Sequence, residues 1–249
     1  MNNMLKQRRE KAPLPPLCVP GKKELIAGAV YLPLHMYVIA SVFVFFMLLF
    51  DFAVTPIAIN LMAMGFGACM LCLLFRKHLR ESLMQFFTCG RGNVRILLLG
   101  MSMRYALNIA LSALIVLCFA LLGREMAIIN PNQDAVEVIL ETHLWGTVLL
   151  AVVLAPIVEE LLFRSLLFAP LLTFNRLAAY LISGLAFGFL HIAAFLFTQP
   201  SPLLLLTILM YLPAGIALAW AYEKSGNIIT PMLLHALMNV VAIFVTTLL

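Results

Sequence analysis

Seven apolar runs, each long enough to cross a lipid bilayer, constrain the fold of this chain more than any other feature. A membrane-spanning helix needs about 20 predominantly apolar residues. The candidate spans lie at about 26–50, 54–75, 96–122, 144–167, 177–197, 203–222 and 231–249. An eighth crossing would result if the first run were broken near Pro33. The sequence therefore predicts an all-α fold, a polytopic membrane helical bundle of about seven or eight transmembrane helices.

The composition supports a membrane protein rather than a water-soluble one. Of the 249 residues, 64% are hydrophobic and 11% are charged, and the mean hydropathy is +1.07. A soluble domain of this length needs far more polar surface. The isoelectric point of about 9.1 would suit a nucleic-acid-binding protein, but the basic residues flank the apolar runs, where they set orientation. We therefore expect a lipid bilayer around the chain and no nucleic-acid partner.

The positions of the basic residues predict how the chain is oriented. The first 23 residues hold six of the sixteen Lys and Arg residues. The connection between the second and third spans holds Arg76, Lys77, Arg80, Arg91 and Arg95. Loops rich in Lys and Arg stay in the cytoplasm, so we expect the N-terminus in the cytoplasm. If the protein is prokaryotic, we expect it in the cell membrane. The first apolar run is longer than the core of a cleaved signal peptide, so we expect an uncleaved signal-anchor.

Two polar segments organise the rest of the chain. The connection around His78 to Thr88 sets apolar residues against charged ones, which is typical of an interfacial amphipathic helix. We interpret the segment 124–143 as a loop that separates the first three spans from the last four. This predicts an N-terminal part, 1–123, and a catalytic core, 124–249.

The five cysteines indicate neither a disulfide framework nor a metal site. Their number is odd, and they are scattered over the tail and the apolar runs. Cys69 and Cys72 have the CxxC spacing, but they lie within a predicted span and no second pair completes a ligand set. We expect these thiols to be packing residues.

The fourth apolar run carries the ionisable groups that most require explanation. Glu159 and Glu160 are adjacent, and Arg164 follows four residues after Glu160. Such groups are costly in a bilayer unless they are paired or face a polar cavity, so they indicate a functional site. On a helix, Glu160 and Arg164 are neighbours in the favourable order for pairing, whereas Glu159 points about 100° away from Glu160. Arg164 should therefore neutralise Glu160 and leave Glu159 free to act as a base; alternatively, the pair only joins helices.

The fifth span places a histidine on a face built for close packing. Gly184 and Gly188 have the GxxxG spacing, which lets a neighbouring helix approach closely. His191 lies about 20° from Gly184 on a helical wheel, so it faces another helix rather than lipid. It is either part of a polar site or a buried packing residue. If its helix begins at Arg176, His191 lies near the bilayer centre, deeper than Glu159, which should lie within two or three turns of the cytoplasmic end.

The last span carries the third set of polar groups. Thr230 is expected to cap this helix, with Pro231 at its first position. His235 and Asn239 then lie one turn apart on one face. We predict that the fourth, fifth and last spans meet around one hydrolytic site.

Together these residues resemble the signature of one family. The sequence contains Glu159-Glu160-x-x-x-Arg164, then Phe187-x-x-x-His191, then His235-x-x-x-Asn239, each within an apolar span. This set is similar to that of the type II CaaX prenyl endopeptidases and their bacterial relatives, known together as the CPBP (CaaX protease and bacteriocin-processing, or Abi) intramembrane proteases. The resemblance covers roughly 140–249, and the first three spans carry no such signature.

The resemblance implies hydrolysis of a peptide bond by water within the membrane. Glu159 and His191 would activate the water, with Glu159 as the general base. His235 and Asn239 would donate hydrogen bonds to the oxyanion of the tetrahedral intermediate. Glu160 and Arg164 would be a supporting pair, although Glu160 could share in the chemistry.

The resemblance also bears on cofactors. The family has often been labelled as metalloproteases, and Glu159, His191 and His235 could hold Zn²⁺ with an open position. The HExxH motif is absent, however, and the three ligands would come from three separate helices. The family resemblance therefore favours a glutamate mechanism without a cofactor, and zinc is the alternative.

Substrate and function class have open alternatives. The short loops suit a compact prokaryotic member that acts on a membrane peptide or lipoprotein rather than on a prenylated protein. A non-catalytic bacteriocin-immunity or scaffold protein could retain the same fold. A small proton-coupled transporter is a further alternative, since intramembrane Glu, His and Arg side chains also relay protons, but we find no inverted repeat of the kind that transporters show.

Overall fold

The predicted all-α bundle is confirmed. The computed structural model describes residues 15–123 and 130–248, and in those ranges it contains helices without strands. The helices are α1 Lys22–Leu49, α2 Pro56–Leu74, α3 Arg76–Thr88, α4 Gly90–Leu121, α5 Pro131–Thr142, α6 Leu144–Leu172, α7 Arg176–Ala193, α8 Leu204–Ser225 and α9 Ile229–Leu248. A helix of four residues, Phe195–Thr198, lies between α7 and α8.

Seven of these helices in the described ranges are long and apolar enough to cross a membrane, namely α1, α2, α4, α6, α7, α8 and α9. Large apolar side chains point outward along them, among them Phe45, Leu98, Leu177 and Phe244, each more than 60% exposed. In a soluble protein so much apolar surface would be unfavourable, whereas lipid covers it at no cost. The protein is therefore an integral, multi-pass membrane protein.

The first apolar run forms one helix rather than two. Pro33 lies inside α1 and has no N–H to donate, and a π-helical turn at His35–Ile39 directly follows this part of the helix. A proline in a helix interior removes a hydrogen bond, and a wider turn is one way to accommodate it. An eighth crossing at this position was therefore a wrong alternative.

The segment 124–143 is not simply a loop. Residues 124–129 lie outside the described residues, but Pro131–Thr142 forms α5. The Asn130 side chain accepts a hydrogen bond from the Gln133 N–H at 3.2 Å and caps the helix, and Pro131 occupies its first turn. Both are start signals that are readable in the sequence.

The start of the last span also differs from the prediction. α9 begins at Ile229, two residues before the expected first position at Pro231. The Asn227 side-chain oxygen accepts hydrogen bonds from the Thr230 N–H at 2.9 Å and from the Thr230 hydroxyl at 3.0 Å. Asn227 is therefore the capping side chain, and the assignment of Thr230 as N-cap was wrong.

The helices that carry the later motifs pack closely. A Cβ added to Gly215 of α8 would lie 2.8 Å from the Cα of Gly184 in α7, and one on Gly188 would lie 2.6 Å from the Ile208 carbonyl oxygen. The close approach expected from GxxxG is thus confirmed. α4 also packs on α8 and α9, with Gly100 against the Leu234 side chain. The division into 1–123 and 124–249 stays a prediction.

The predicted amphipathic helix at 78–88 forms α3 and turns a polar face inward. His78 and Ser82 are fully buried on this face. The His78 ring contacts the Ser165 hydroxyl of α6 through Nε2 at 2.9 Å, and its backbone N–H donates to Glu24 Oε1 at 3.0 Å. The Cys18 Sγ lies 3.5 Å from His78 Nδ1. α3 thereby joins the first helix to the helix that carries the glutamates.

The segment before α1 is held by the turn between α8 and α9. The Cys18 N–H donates to the Gly226 carbonyl at 2.7 Å, and the Tyr222 hydroxyl donates to the Cys18 carbonyl at 2.6 Å. The Gln85 side chain donates to the Pro16 carbonyl at 2.8 Å. Gly226 has φ +72°, and a side chain there would collide with the Pro16 carbonyl, so glycine is required at this turn.

Stability is expected to fall as the pH drops through the titration range of His78. Burial lowers the pKa of His78 from 6.5 to about 4, with Glu24 partly opposing the shift. Between these two pH values the imidazole binds a proton in the unfolded chain but not in the native protein. The stability that depends on neutral His78 is therefore complete above pH 6.5 and is lost as the pH falls towards 4. The full loss is roughly 3 kcal/mol. Denaturant titrations from pH 4 to pH 7 on the protein and on His78→Gln would measure it, and equal pH slopes for both would contradict the assignment.

Candidate active site

The helix that carries the two glutamates is irregular on both sides of them. In α6, π-helical turns at Leu149–Leu154 and Leu161–Phe168 flank the α-helical segment Ala155–Glu160. Such wide turns inside helices frequently mark functional sites. Pro156 has no N–H to donate in the i→i+5 pattern of the first turn, and Asn239 of α9 supplies a donor instead, from Nδ2 to the Ala151 carbonyl at 2.6 Å. Asn239 is thereby held against α6.

The predicted ion pair between Glu160 and Arg164 forms in the interior. Arg164 Nε lies 3.0 Å from Glu160 Oε2, and both side chains are fully buried. The guanidinium carbon lies 5.0 Å from the centre of the Phe187 ring, a cation–π distance. Among the described residues no guanidinium N–H meets an acceptor with hydrogen-bond alignment, so Coulomb attraction and ring contact hold Arg164. Its charge balances one carboxylate.

His235 lies between the two carboxylates. Its Nδ1 is 2.9 Å from Glu160 Oε1 and its Nε2 is 4.0 Å from Glu159 Oε2. An ionised carboxylate only accepts, so Nδ1 carries a proton that it donates to Glu160. The contact with Glu159 is too long for a direct hydrogen bond. Glu159 is 6% exposed, and its Oε2 has no hydrogen-bond partner among the described residues.

His191 approaches the same region from α7, and among the described residues only its Nδ1 has a hydrogen-bond partner. Its Nδ1 lies 2.8 Å from the Phe187 carbonyl oxygen, and because a carbonyl only accepts, Nδ1 carries the proton. The Nε2 of the neutral ring then has its lone pair available. The Phe187 ring lies 4.7 Å from the His191 ring and 5.6 Å from the His235 ring, centre to centre. Phe187 therefore contacts both histidines and the Arg164 guanidinium.

The lengths of α6 and α7 bear on the expected difference in depth between Glu159 and His191. α7 begins at Arg176, as assumed, and places His191 about 22 Å along its axis. α6 continues to Leu172 instead of ending near 167, which moves Glu159 further from the end of its helix than the sequence indicated. The relative depth of the two side chains stays a prediction.

The histidines of the possible zinc set each have Nδ1 in a hydrogen bond, to Glu160 for His235 and to the Phe187 carbonyl for His191. That leaves Nε2 as the ligand atom of each ring, which is the usual arrangement of zinc-binding histidines. Within 15–123 and 130–248, however, no three His, Cys, Asp or Glu side chains are placed together to hold a metal ion. Zinc at Glu159, His191 and His235 stays an alternative prediction.

Sequence reasoning missed one residue of this region. Tyr211 of α8 stacks on the His191 ring, with centres 4.1 Å apart and planes inclined by 22°. Its hydroxyl is held by Asn130 and Asn132 at the start of α5. A single tyrosine in an apolar run carries no signal that distinguishes it from a packing residue. Only the Asn130-Pro131-Asn132 sequence was noticeable.

Comparisons with known proteins agree with the motif set. Residues 141–241, which contain all three motifs, match the family model described as Type II CAAX prenyl endopeptidase Rce1-like. The chain is also similar to the UPF0177 protein YxdF of Lactococcus lactis subsp. lactis (strain IL1403), with 30% identity over 87 residues. That stretch is 35% of this chain and 42% of the relative, so the chain matches less than half of that relative's length. No solved structure gives a significant match. Residues 141–241 of the chain are thus similar to the Rce1-like type II CAAX prenyl endopeptidases.

Proposed function

We propose that the protein is an intramembrane endopeptidase that hydrolyses a peptide bond of a membrane-associated peptide or lipoprotein. One observation carries the proposal. Glu159 is buried in the bundle without a hydrogen-bond partner on Oε2 among the described residues. It faces His235 at 4.0 Å, and the Phe187 ring contacts both His235 and His191. A buried carboxylate and two imidazoles joined through one ring are the composition expected of a site that activates water.

The chemistry starts with the water. Glu159 takes one proton from it, and the oxygen forms a bond to the carbon of the scissile carbonyl while the carbonyl electrons move to oxygen. The carbon–nitrogen bond then breaks, and the proton held by Glu159 passes to the leaving amine. His191 accepts a hydrogen bond from the water at Nε2 and orients it for attack.

The oxyanion receives hydrogen bonds from α9. Asn239 uses one N–H on the Ala151 carbonyl, and the second N–H of the same amide is available for the intermediate. His235 donates from Nε2 only as an imidazolium, because its Nδ1–H is used by Glu160. The Glu160 carboxylate stabilises that cation, and Glu160 is in turn paired with Arg164 at 3.0 Å. Donors fixed before the reaction stabilise the developing charge most effectively.

The proposed orientation, location and substrate rest on features of the sequence. The basic residues on the N-terminal side support a cytoplasmic N-terminus, and the short loops between the spans support a prokaryotic cell membrane as its location. We propose a membrane peptide or lipoprotein as substrate rather than a prenylated protein, and a mechanism without a metal cofactor.

A proton-coupled transporter is the second candidate. The continuous buried series Arg164, Glu160, His235 and Glu159 favours it, because such chains also relay protons. A non-catalytic immunity or scaffold protein would not use this series. The three functions differ in what they release: a cleaved peptide, a proton flux, or neither.

The test uses the purified protein in proteoliposomes with membrane peptides, lipopeptides and prenylated C-terminal peptides. We expect cleavage in ¹⁸O-labelled water to place one ¹⁸O in the new carboxyl group, as measured by mass spectrometry. His191→Ala should abolish cleavage, and His143→Ala, at an exposed position, should not. Cleavage lost with a chelator and restored by zinc would overturn the cofactor-free mechanism. Proton flux without cleavage of any peptide would overturn the protease proposal.

A further inference from the structure

Tyr211 connects His191 to the start of α5. Its ring lies face to face with the imidazole at 4.1 Å. Its hydroxyl donates to Asn130 Oδ1 at 3.2 Å and accepts from Asn132 Nδ2 at 3.0 Å. Tyr211 lies 79 residues from Asn132 and 81 residues from Asn130 in sequence, and the three side chains meet at the end of α7 that carries His191. This contact is therefore a tertiary feature and not a consequence of local helix geometry.

The anchor of Tyr211 is itself well fixed. Asn130 Oδ1 also accepts the Gln133 N–H at 3.2 Å, so one oxygen caps α5 and binds the tyrosine. Pro131, which is buried, fixes the backbone between the two asparagines because its ring restricts φ. The turn that begins α5 thus presents one acceptor and one donor at a set spacing. A phenol hydroxyl, which donates once and accepts, matches that pair.

The hydrogen bonds exclude an acid role for Tyr211. Its single proton is directed at Asn130, and its oxygen is occupied by Asn132, so neither faces a substrate. The face of its ring, in contrast, covers the His191 imidazole, which is only half-buried. The Phe187 carbonyl fixes Nδ1 but leaves the tilt of the ring plane open. Stacking by a ring that is hydrogen-bonded at its far end removes that freedom.

We propose that Asn130, Asn132 and Tyr211 form a clamp that positions His191 so that Nε2 points to the reacting water. The three are positioning residues, and their role rests on the proposed function. The clamp makes α5 part of the active-site support, although α5 contributes no reacting group. Small errors in the placement of such a group are costly, since a displacement of about 1 Å can reduce a rate roughly a hundredfold.

The test compares Tyr211→Phe, which keeps the ring and removes both hydrogen bonds, with Asn132→Ala, which removes one of them. We expect Asn132→Ala to lower kcat roughly tenfold, the scale of one hydrogen bond, and Tyr211→Phe to lower it more, with KM unchanged in both. Tyr211→Leu, which removes the stack as well, should lower it further. Tyr105→Phe, on the partly exposed face of α4, is the matched control and should keep the original kcat.

A second readout does not depend on activity. In protein labelled with ¹⁵N-histidine, we expect the His191 signals to report a proton on Nδ1, and Tyr211→Phe and Tyr211→Leu should broaden them or change the tautomer ratio. If the protein cleaves no peptide but these signals change, the proposed function fails and the clamp stands. If kcat and the His191 signals are both unchanged in a folded Tyr211→Phe and Asn132→Ala, the clamp is overturned.

Discussion

Glu159→Gln is expected to lower the rate of peptide hydrolysis by roughly 10² to 10⁴, the range that general base catalysis contributes. Glutamine has nearly the same shape but cannot accept the proton of the attacking water. Glu159 forms no ion pair as close as that of Glu160, and its nearest charged contact is His235 Nε2 at 4.0 Å. The variant should therefore fold and bind substrate normally. Single-turnover cleavage in proteoliposomes, together with a binding measurement, would separate kcat from substrate affinity.

The matched control is Glu141→Gln on the exposed surface of α5. It removes one carboxylate from the same part of the chain without touching the bundle interior, so we expect full activity. A Glu159→Gln variant that cleaves as fast as this control would show that Glu159 is not the base. Glu160 would then be the remaining carboxylate within reach of the site.

Arg164→Met is expected to destabilise the protein by about 3–5 kcal/mol, because it leaves a buried charge without its partner. The change removes the cation that lies 3.0 Å from Glu160 and leaves that carboxylate fully buried. The loss should also disturb His235, which is bound to the other oxygen of Glu160. Unfolding in mixed micelles, followed by circular dichroism, would measure the free energy.

Two comparisons sharpen this prediction. Arg176 pairs with Glu223 at 3.1 Å, but its side chain is 61% exposed, so Arg176→Met should cost at most about 1 kcal/mol. The double variant Glu160→Gln with Arg164→Met removes both charges and should recover part of the loss. If the buried and the exposed arginine variants cost the same, or if the double variant is worse by the sum of the single effects, the account of the buried pair is wrong.

The membrane architecture and the composition of the site were accessible from the sequence. Long apolar runs set the spans because a bilayer imposes a length, and the Glu160–Arg164 pair follows from helical spacing alone. The family match to residues 141–241 agrees with the resemblance stated from the three motifs. The catalytic roles of Glu159, His191, His235 and Asn239 stay predictions.

What the sequence did not indicate depends on contacts between distant residues. The end of α6 at Leu172 depends on two wide turns whose stability comes from packing, and one of them needs Asn239 to satisfy Ala151. Tyr211 acquires its role only when α5 folds over it. The start of α5 is a different case, since Asn130 and Pro131 are ordinary start signals and were overlooked in a segment interpreted as a loop.

The attachment of Cys18 to Gly226 has a consequence for biogenesis. A ribosome makes residue 18 long before residue 226, so the backbone hydrogen bonds of Cys18 to Tyr222 and Gly226 form only after six crossings have been made. This attachment is then among the final steps of maturation. Pulse-labelled translation products of increasing length would show a drop in the reactivity of the Cys18 thiol towards alkylating reagents when the turn after α8 has left the ribosomal tunnel.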